Sequence, residues 1–139
     1  MKCVFLGHRE APDGLKSELK RTILALTSDG SEFFVGNNGG FDALVQSVFL
    51  EMANEGCEIK YTIVLSKINE LALSGKQENT VFPEGQEAAL PRFAISKRNE
   101  WLFKNADIVV TYMKNEASNT YKYVSRAKKK GAKVINLAK

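Results

Sequence analysis

Apolar positions along this chain switch repeatedly between two spacings. Residues 2–6, Lys-Cys-Val-Phe-Leu, form a short apolar run that reads as a first strand buried on both faces. It ends at Gly7-His8-Arg9. Pro12 then opens a helix whose apolar positions Leu15, Leu19, Ile23 and Leu26 share one face. Ser28-Asp29-Gly30-Ser31 is a turn, and Phe33, Phe34 and Val35 read as a second buried strand. Gly36 to Gly40 hold three glycines in five residues. From Phe41 the pattern becomes helical, with Leu44, Val45, Val48, Phe49 and Met52 at three- and four-residue steps up to about Gly56. Residues 60–65, Lys-Tyr-Thr-Ile-Val-Leu, are a third strand.

Residues 66–92 lack clean periodicity and contain Gly75, Pro83, Gly85 and Pro91. A short helix around Ile68 to Leu73 fits part of the stretch. A long irregular segment in a compact domain is usually functional or mobile, so it reads as a lid or pocket wall, or else as a decorative loop. A helix follows over Arg92 to Asn105, then a fourth strand over Asp107 to Tyr112 and a polar loop from Lys114 to Asn119. Thr120 to Lys130 form a last helix, with Tyr123, Val124 and Ala127 inward and Gly131 closing it. Residues 133–137 are a fifth strand.

Short apolar strands alternating with helices imply an α/β fold with a parallel sheet covered on both faces. Right-handed crossovers leave few arrangements. The expectation is one Rossmann-like domain over residues 1–139, a three-layer sandwich around five parallel strands in the order 3-2-1-4-5. Ligands of such sheets sit beyond the carboxyl ends of the strands, where the order reverses. Here that switch lies between the first and fourth strands, and three loops meet at it: Gly7-His8-Arg9, Gly36 to Gly40, and Lys114 to Thr120.

Composition narrows the classes. With 139 residues, 44% apolar and 26% charged, the chain has the balance of a globular domain. No apolar run nears the ~20 residues of a membrane helix, and the first nine residues do not read as a signal peptide. No membrane partner is expected, and the cytoplasm is the expected compartment, with Cys3 and Cys57 reduced. One histidine and two distant cysteines argue against a structural metal site, and no cofactor is expected. The net charge is +4, with much of the excess in Arg126, Lys128, Lys129 and Lys130. These read as a solvated helix face that suits the helix C-terminus rather than as a nucleic-acid patch, because no aromatics interleave with them. A homo-oligomer stays open.

The candidate chemistry follows from the loops. Free N–H groups and the positive dipole end at a helix start, with glycines before it, favour an anion at Gly36, Gly39 and Gly40. Asn37 and Asn38 tolerate left-handed backbone and add amide donors and acceptors. A tight turn that binds nothing is the plainer reading, but three glycines exceed its needs. The run is neither a Walker A loop nor a true GxGxxG. Arg9 beside Gly7 can clamp a phosphate. His8, the only histidine, reads as a loop-shaping hydrogen bonder, with no Ser or Cys partner for catalysis. Arg98 and Asn99 flank the buried face of their helix, where polar groups need partners. A phosphate or ribose contact and an ion pair of Arg98 with Asp42 or Asp107 weigh equally. Asp42, in the first turn of its helix, either stabilises that terminus or serves as a ribose acceptor or catalytic carboxylate. Ser118 and Thr120 cap the last helix or donate to a phosphate.

Taken together these residues resemble the SLOG superfamily, Rossmann-like domains related to the lonely-guy phosphoribohydrolases and to the DNA-processing protein A domain. The resemblance is carried by Phe-Leu-Gly-His-Arg, by Val-Gly-Asn-Asn-Gly-Gly-Phe-Asp, by Lys-Arg-Asn-Glu-Trp-Leu with Asn-Ala-Asp-Ile-Val-Val, and by the closing run Thr-Tyr-Lys-Tyr-Val-Ser-Arg-Ala-Lys-Lys-Lys-Gly-Ala-Lys-Val-Ile-Asn-Leu. It spans nearly the whole chain and looks most like the small stand-alone members. It implies a nucleotide-derived small molecule in the pocket. The lonely-guy enzymes carry Pro-Gly-Gly-x-Gly-Thr-x-x-Glu before the last helix. Here the run is Lys-Asn-Glu-Ala-Ser-Asn-Thr-Tyr-Lys-Tyr, in which only Thr120 matches and Tyr123 stands in place of the glutamate. Asp42 or Glu100 would have to substitute. The expected function is therefore a sensor or carrier of a nucleotide-derived molecule, ahead of an N-glycosidic-bond hydrolase acting on a nucleoside monophosphate. Single-stranded nucleic-acid binding comes third, for want of stacking aromatics in the loops.

Overall fold

The structure is a computed structural model that describes residues 1–27, 30–37, 39–66, 80–83, 86, 90–114 and 119–138. The elements are β1 (Lys2–Gly7), a 3-10 turn at Asp13–Leu15, α1 (Lys16–Thr27), β2 (Glu32–Val35), α2 (Gly40–Asn54), β3 (Lys60–Val64), β4 (Thr80–Val81), a 3-10 turn at Pro91–Phe93, α3 (Ala94–Phe103), β5 (Ile108–Tyr112), α4 (Asn119–Lys129) and β6 (Lys133–Asn136). The sheet is parallel throughout, in the order β4-β3-β2-β1-β5-β6.

The α/β class is as the periodicity implies, but the expected count of five strands is wrong: among the described residues the sheet has six. The added strand is β4, in the stretch read as lid or wall. Two residues are too few to display a period of two, so the pattern cannot reveal it. What makes it a strand is its partner. Thr80 and Val81 stand opposite Ile63 and Val64, and Leu65 N–H donates to Val81 O at 2.9 Å. The other five strands keep the expected order. The short helix expected at 68–73 lies outside the described residues.

Alternate residues of each strand feed opposite layers. Cys3 and Phe5 of β1, Phe33 and Val35 of β2, and Ile108, Val110 and Tyr112 of β5 pack under α1 and α2 with Leu19, Ile23, Val45, Phe49 and Met52. Val4 packs on the other face with Val64 and Leu102 of α3. Val109 packs there too, against Val124 and Ala127 of α4. Phe49 is the hub of the first layer. Its ring lies 5.4 Å from Phe5 edge-on, 5.7 Å from Phe33 and 5.1 Å from Tyr61, geometries that add to the ~1.5–3 kcal/mol from burying each such side chain. Among the described residues no helix is long and apolar enough to cross a membrane.

Candidate functional site at the strand-order switch

β1 and β5 are neighbours whose connections leave in opposite directions, so their carboxyl ends open a crevice. The loop after β1 is stitched across it. His8 N–H donates to Tyr112 O at 3.1 Å, and Lys114 N–H donates to His8 Nε2 at 2.7 Å. An accepting Nε2 puts the proton of the neutral imidazole on Nδ1, and the ring joins the two loops. The His8 ring also sits edge-on to Tyr112 at 6.1 Å.

The glycine loop closes the same edge from the other side. Gly40 N–H donates to Arg9 O at 2.5 Å. Gly39 takes φ 95°, which favours glycine, and a Cβ there would stand 3.0 Å from Arg9 Cα. Gly40 meets the Arg9 carbonyl so closely that any side chain would collide with it. The two loops therefore touch backbone to backbone, which only glycine permits. Gln46 of α2 ties the loop down: its Nε2 donates to Gly36 O at 2.8 Å and to Asn37 Oδ1 at 3.2 Å. Gly7 packs directly against the Phe41 ring, and its carbonyl lies 3.5 Å from Thr120 Oγ1 at the start of α4.

Arg98 is the largest of the fully buried side chains, 1% exposed. Its Nη1 donates to Val64 O at 3.0 Å and its Nε to Asn99 Oδ1 at 2.9 Å. The guanidinium lies against Gly36, where a Cβ would overlap it. So Arg98 and Asn99 sit beneath the glycine loop, and Arg98 puts a positive charge under it. Asp107 is at the opposite edge of the sheet, where it accepts the Lys2 N–H at 2.8 Å. Asp42 is buried, 2% exposed, beside Phe41 in the first turn of α2. Tyr123 belongs to the core: its ring stacks on Phe103 at 5.8 Å. Asn38 and Ser118 lie outside the described residues. Among the described residues no cluster of three or more His, Cys, Asp or Glu has the arrangement of a metal site.

Over the loop after β1 and the end of β5 runs an open groove of about 660 Å³, lined by His8, Arg9, Glu10, Ala11, Pro12, Tyr112 and Lys114, with no described residue of the glycine loop, nor Arg98, Asn99 or Thr120, in its lining. Arg9 and Lys114 are exposed, and the Lys114 ammonium lies 5.8 Å above the Tyr112 ring. Sequence reasoning names His8 and Arg9. It places Lys114 at the switch only as the start of a loop, and it passes over Tyr112 and Gln46, although Tyr112 stands where β5 ends. Gln46 reads only as a helix position and carries no signal.

Two solved structures share the fold. DNA processing protein A from Helicobacter pylori, described for its single-stranded DNA binding mode, superposes with a TM-score of 0.68 at 15% identity, over 98% of this chain and 64% of that one. DNA processing protein A (DprA) from Streptococcus pneumoniae gives 0.68 at 13% identity, over 97% of this chain and 49% of that one. The chain thus spans about half to just under two thirds of the length of these neighbours. No family model and no curated protein matches it. The likeness is one of fold, that of a Rossmann-like α/β domain. It also corrects one expectation: nucleic acid cannot be ranked last as a partner, since a neighbour with this fold binds single-stranded DNA.

Proposed function

We propose that this protein binds single-stranded nucleic acid across the carboxyl edge of its sheet, at the groove between β1 and β5. One observation carries the reading: Arg9 and Lys114 project from an open groove rather than a closed pocket. Small-molecule sites enclose most of their ligand, whereas a polymer needs a path with two open ends. Arg9 offers a bidentate fork to one phosphate and Lys114 a point charge to the next. The positive dipole end of α2 lies at the same edge. His8, half-buried at the groove, supplies a ring on which a base stacks. The fold shared with a DNA-binding neighbour supports the same reading. Asp42 is not among the residues lining the groove, and binding requires no turnover.

The test is fluorescence anisotropy with a labelled oligothymidylate. Wild-type protein should bind it. Arg9→Ala should weaken binding by about 1.5–3 kcal/mol through the lost charge-assisted contact, and lower the salt slope by roughly 0.7. A nucleoside monophosphate should not displace the oligonucleotide at equal phosphate concentration. Equal displacement by the mononucleotide would restore the small-molecule reading, and no binding of the oligonucleotide would end this one.

A further inference from the structure

The basic residues near the C-terminus are unaccounted for by the groove. From Ile108 onward the chain carries eight of its twenty Lys and Arg and one of its sixteen acidic residues, Glu116. That is a surplus of seven positive charges in a chain whose whole surplus is four. A helix C-terminus attracts cations, and Arg126, Lys128 and Lys129 fit that account. Lys122 does not. It stands in the first turn of α4, where a cation opposes the dipole, and that turn holds no acidic residue.

The exposed cations also fall in a line. Tyr123, Val124 and Ala127 are the buried side of α4. Lys122, Arg126 and Lys129, at steps of four and three, lie together on the opposite side, all exposed. They recur at steps of about 6 and 4.5 Å along the helix. Among the described residues no carboxylate pairs with any of them. Like charges at these spacings cost a helix a few tenths of a kcal/mol per pair, so the arrangement opposes folding and calls for an external counter-charge. Lys130 and Lys133 carry the positive surface past the helix end.

The stripe starts at the groove. Thr120, in the first turn of α4, lies 3.5 Å from the Gly7 carbonyl beneath it, and Lys114 is the last described residue before the helix. We infer that the Lys122–Arg126–Lys129 face is a second segment of the nucleic-acid path, which takes the sugar–phosphate backbone of a strand leaving the groove and reads no bases. This rests on the proposed groove function and extends it from a local contact to a track along one side of the molecule. With no aromatic side chain among the three, the segment is electrostatic alone, so it adds affinity with length and is sensitive to salt.

The experiment compares oligothymidylates of about six and about twenty nucleotides, one near the lower end of common single-strand site sizes and one beyond them, on wild type, Arg9→Ala and the triple variant Lys122→Gln/Arg126→Gln/Lys129→Gln. All three glutamines replace exposed side chains, and circular dichroism checks that the fold is kept. The triple variant should bind the short strand as wild type does. On the long strand it should lose on the order of tenfold, with the salt slope lower by about two. A triple variant that binds the long strand like wild type overturns the inference and leaves the groove proposal standing. Equal loss on both lengths overturns it too, because the stripe would then not be an extension. A long strand held by the stripe but indifferent to Arg9→Ala would defeat the groove proposal and keep the basic face.

Discussion

Arg98 and Gly36 act as one unit. The guanidinium occupies the space a Cβ would fill, and it reaches the Val64 carbonyl because of that. Gly36→Ala should therefore displace it and destabilise the protein by about 1–3 kcal/mol, the cost of overpacking a full site. Arg98→Lys keeps the charge but cannot bond Asn99 and Val64 in the same fixed fork. It should cost about 1–3 kcal/mol through a buried acceptor left unmet. Urea unfolding reads both. A Gly36→Ala variant as stable as wild type would show that the loop yields without resistance. Arg98 is legible in the sequence as a polar residue beside an apolar helix face. Its position beneath the loop, rather than in it, depends on how α3 lies across β3.

At the scale of elements, α1 and α2 hold each other by core packing and by a surface ion-pair cluster. Lys16 Nζ lies 2.6 Å from Glu51, and Lys20 lies 2.8 Å from Glu55 and 3.7 Å from Glu51. The Lys16 hydrogen bond holds the Glu51 carboxyl below its ordinary value of 4.5, and the Glu55 hydrogen bond raises Lys20 above 10.5. A depressed carboxyl stabilises the fold above its ordinary value and loses that contribution as pH falls through the folded value. A raised lysine stabilises below 10.5 and loses its contribution as pH rises beyond it. Glu51→Gln should thus lower Tm slightly near neutral pH, with the difference gone at pH about 2 and in ~1 M salt. A difference that persists in acid would point to packing instead. By contrast Phe49→Ala, at the aromatic hub, should cost about 3–5 kcal/mol at any pH. β4 makes its own prediction: Leu65 N–H, bonded to Val81 O, should exchange as slowly as its neighbours in β3. Fast exchange there would return the sheet to five strands.

For the whole molecule the distribution of charge matters more than its net value. A surplus of +4 is unremarkable for a chain of this length, but it is gathered on one flank while the rest of the chain is net acidic. Association with a polyanion should be steered to that flank and should slow as salt rises. Stopped-flow association rates for a single-stranded oligonucleotide should fall steeply with ionic strength, and less steeply in the Lys122/Arg126/Lys129 variant. Rates indifferent to salt would remove the electrostatic argument.

The α/β class, the parallel sheet and the order of five strands were determined by the sequence, because apolar runs of four to six residues between amphipathic helices admit few topologies. The meeting of Gly7-His8-Arg9 with Gly36 to Gly40 at one edge was legible for the same reason: chain order and handedness bring those loops together. Three things only tertiary structure decided. β4 exists because β3 offers it an edge, and two residues carry no pattern of their own. Arg98 and Asn99 went under the loop because their helix packs on the sheet at a depth that spacing does not encode. The groove is open and cationic because Lys114 and Arg9, 105 positions apart in the chain, project from adjacent strand ends. Periodicity tells which face of an element is buried, whereas the shape left between elements depends on distances no single element contains.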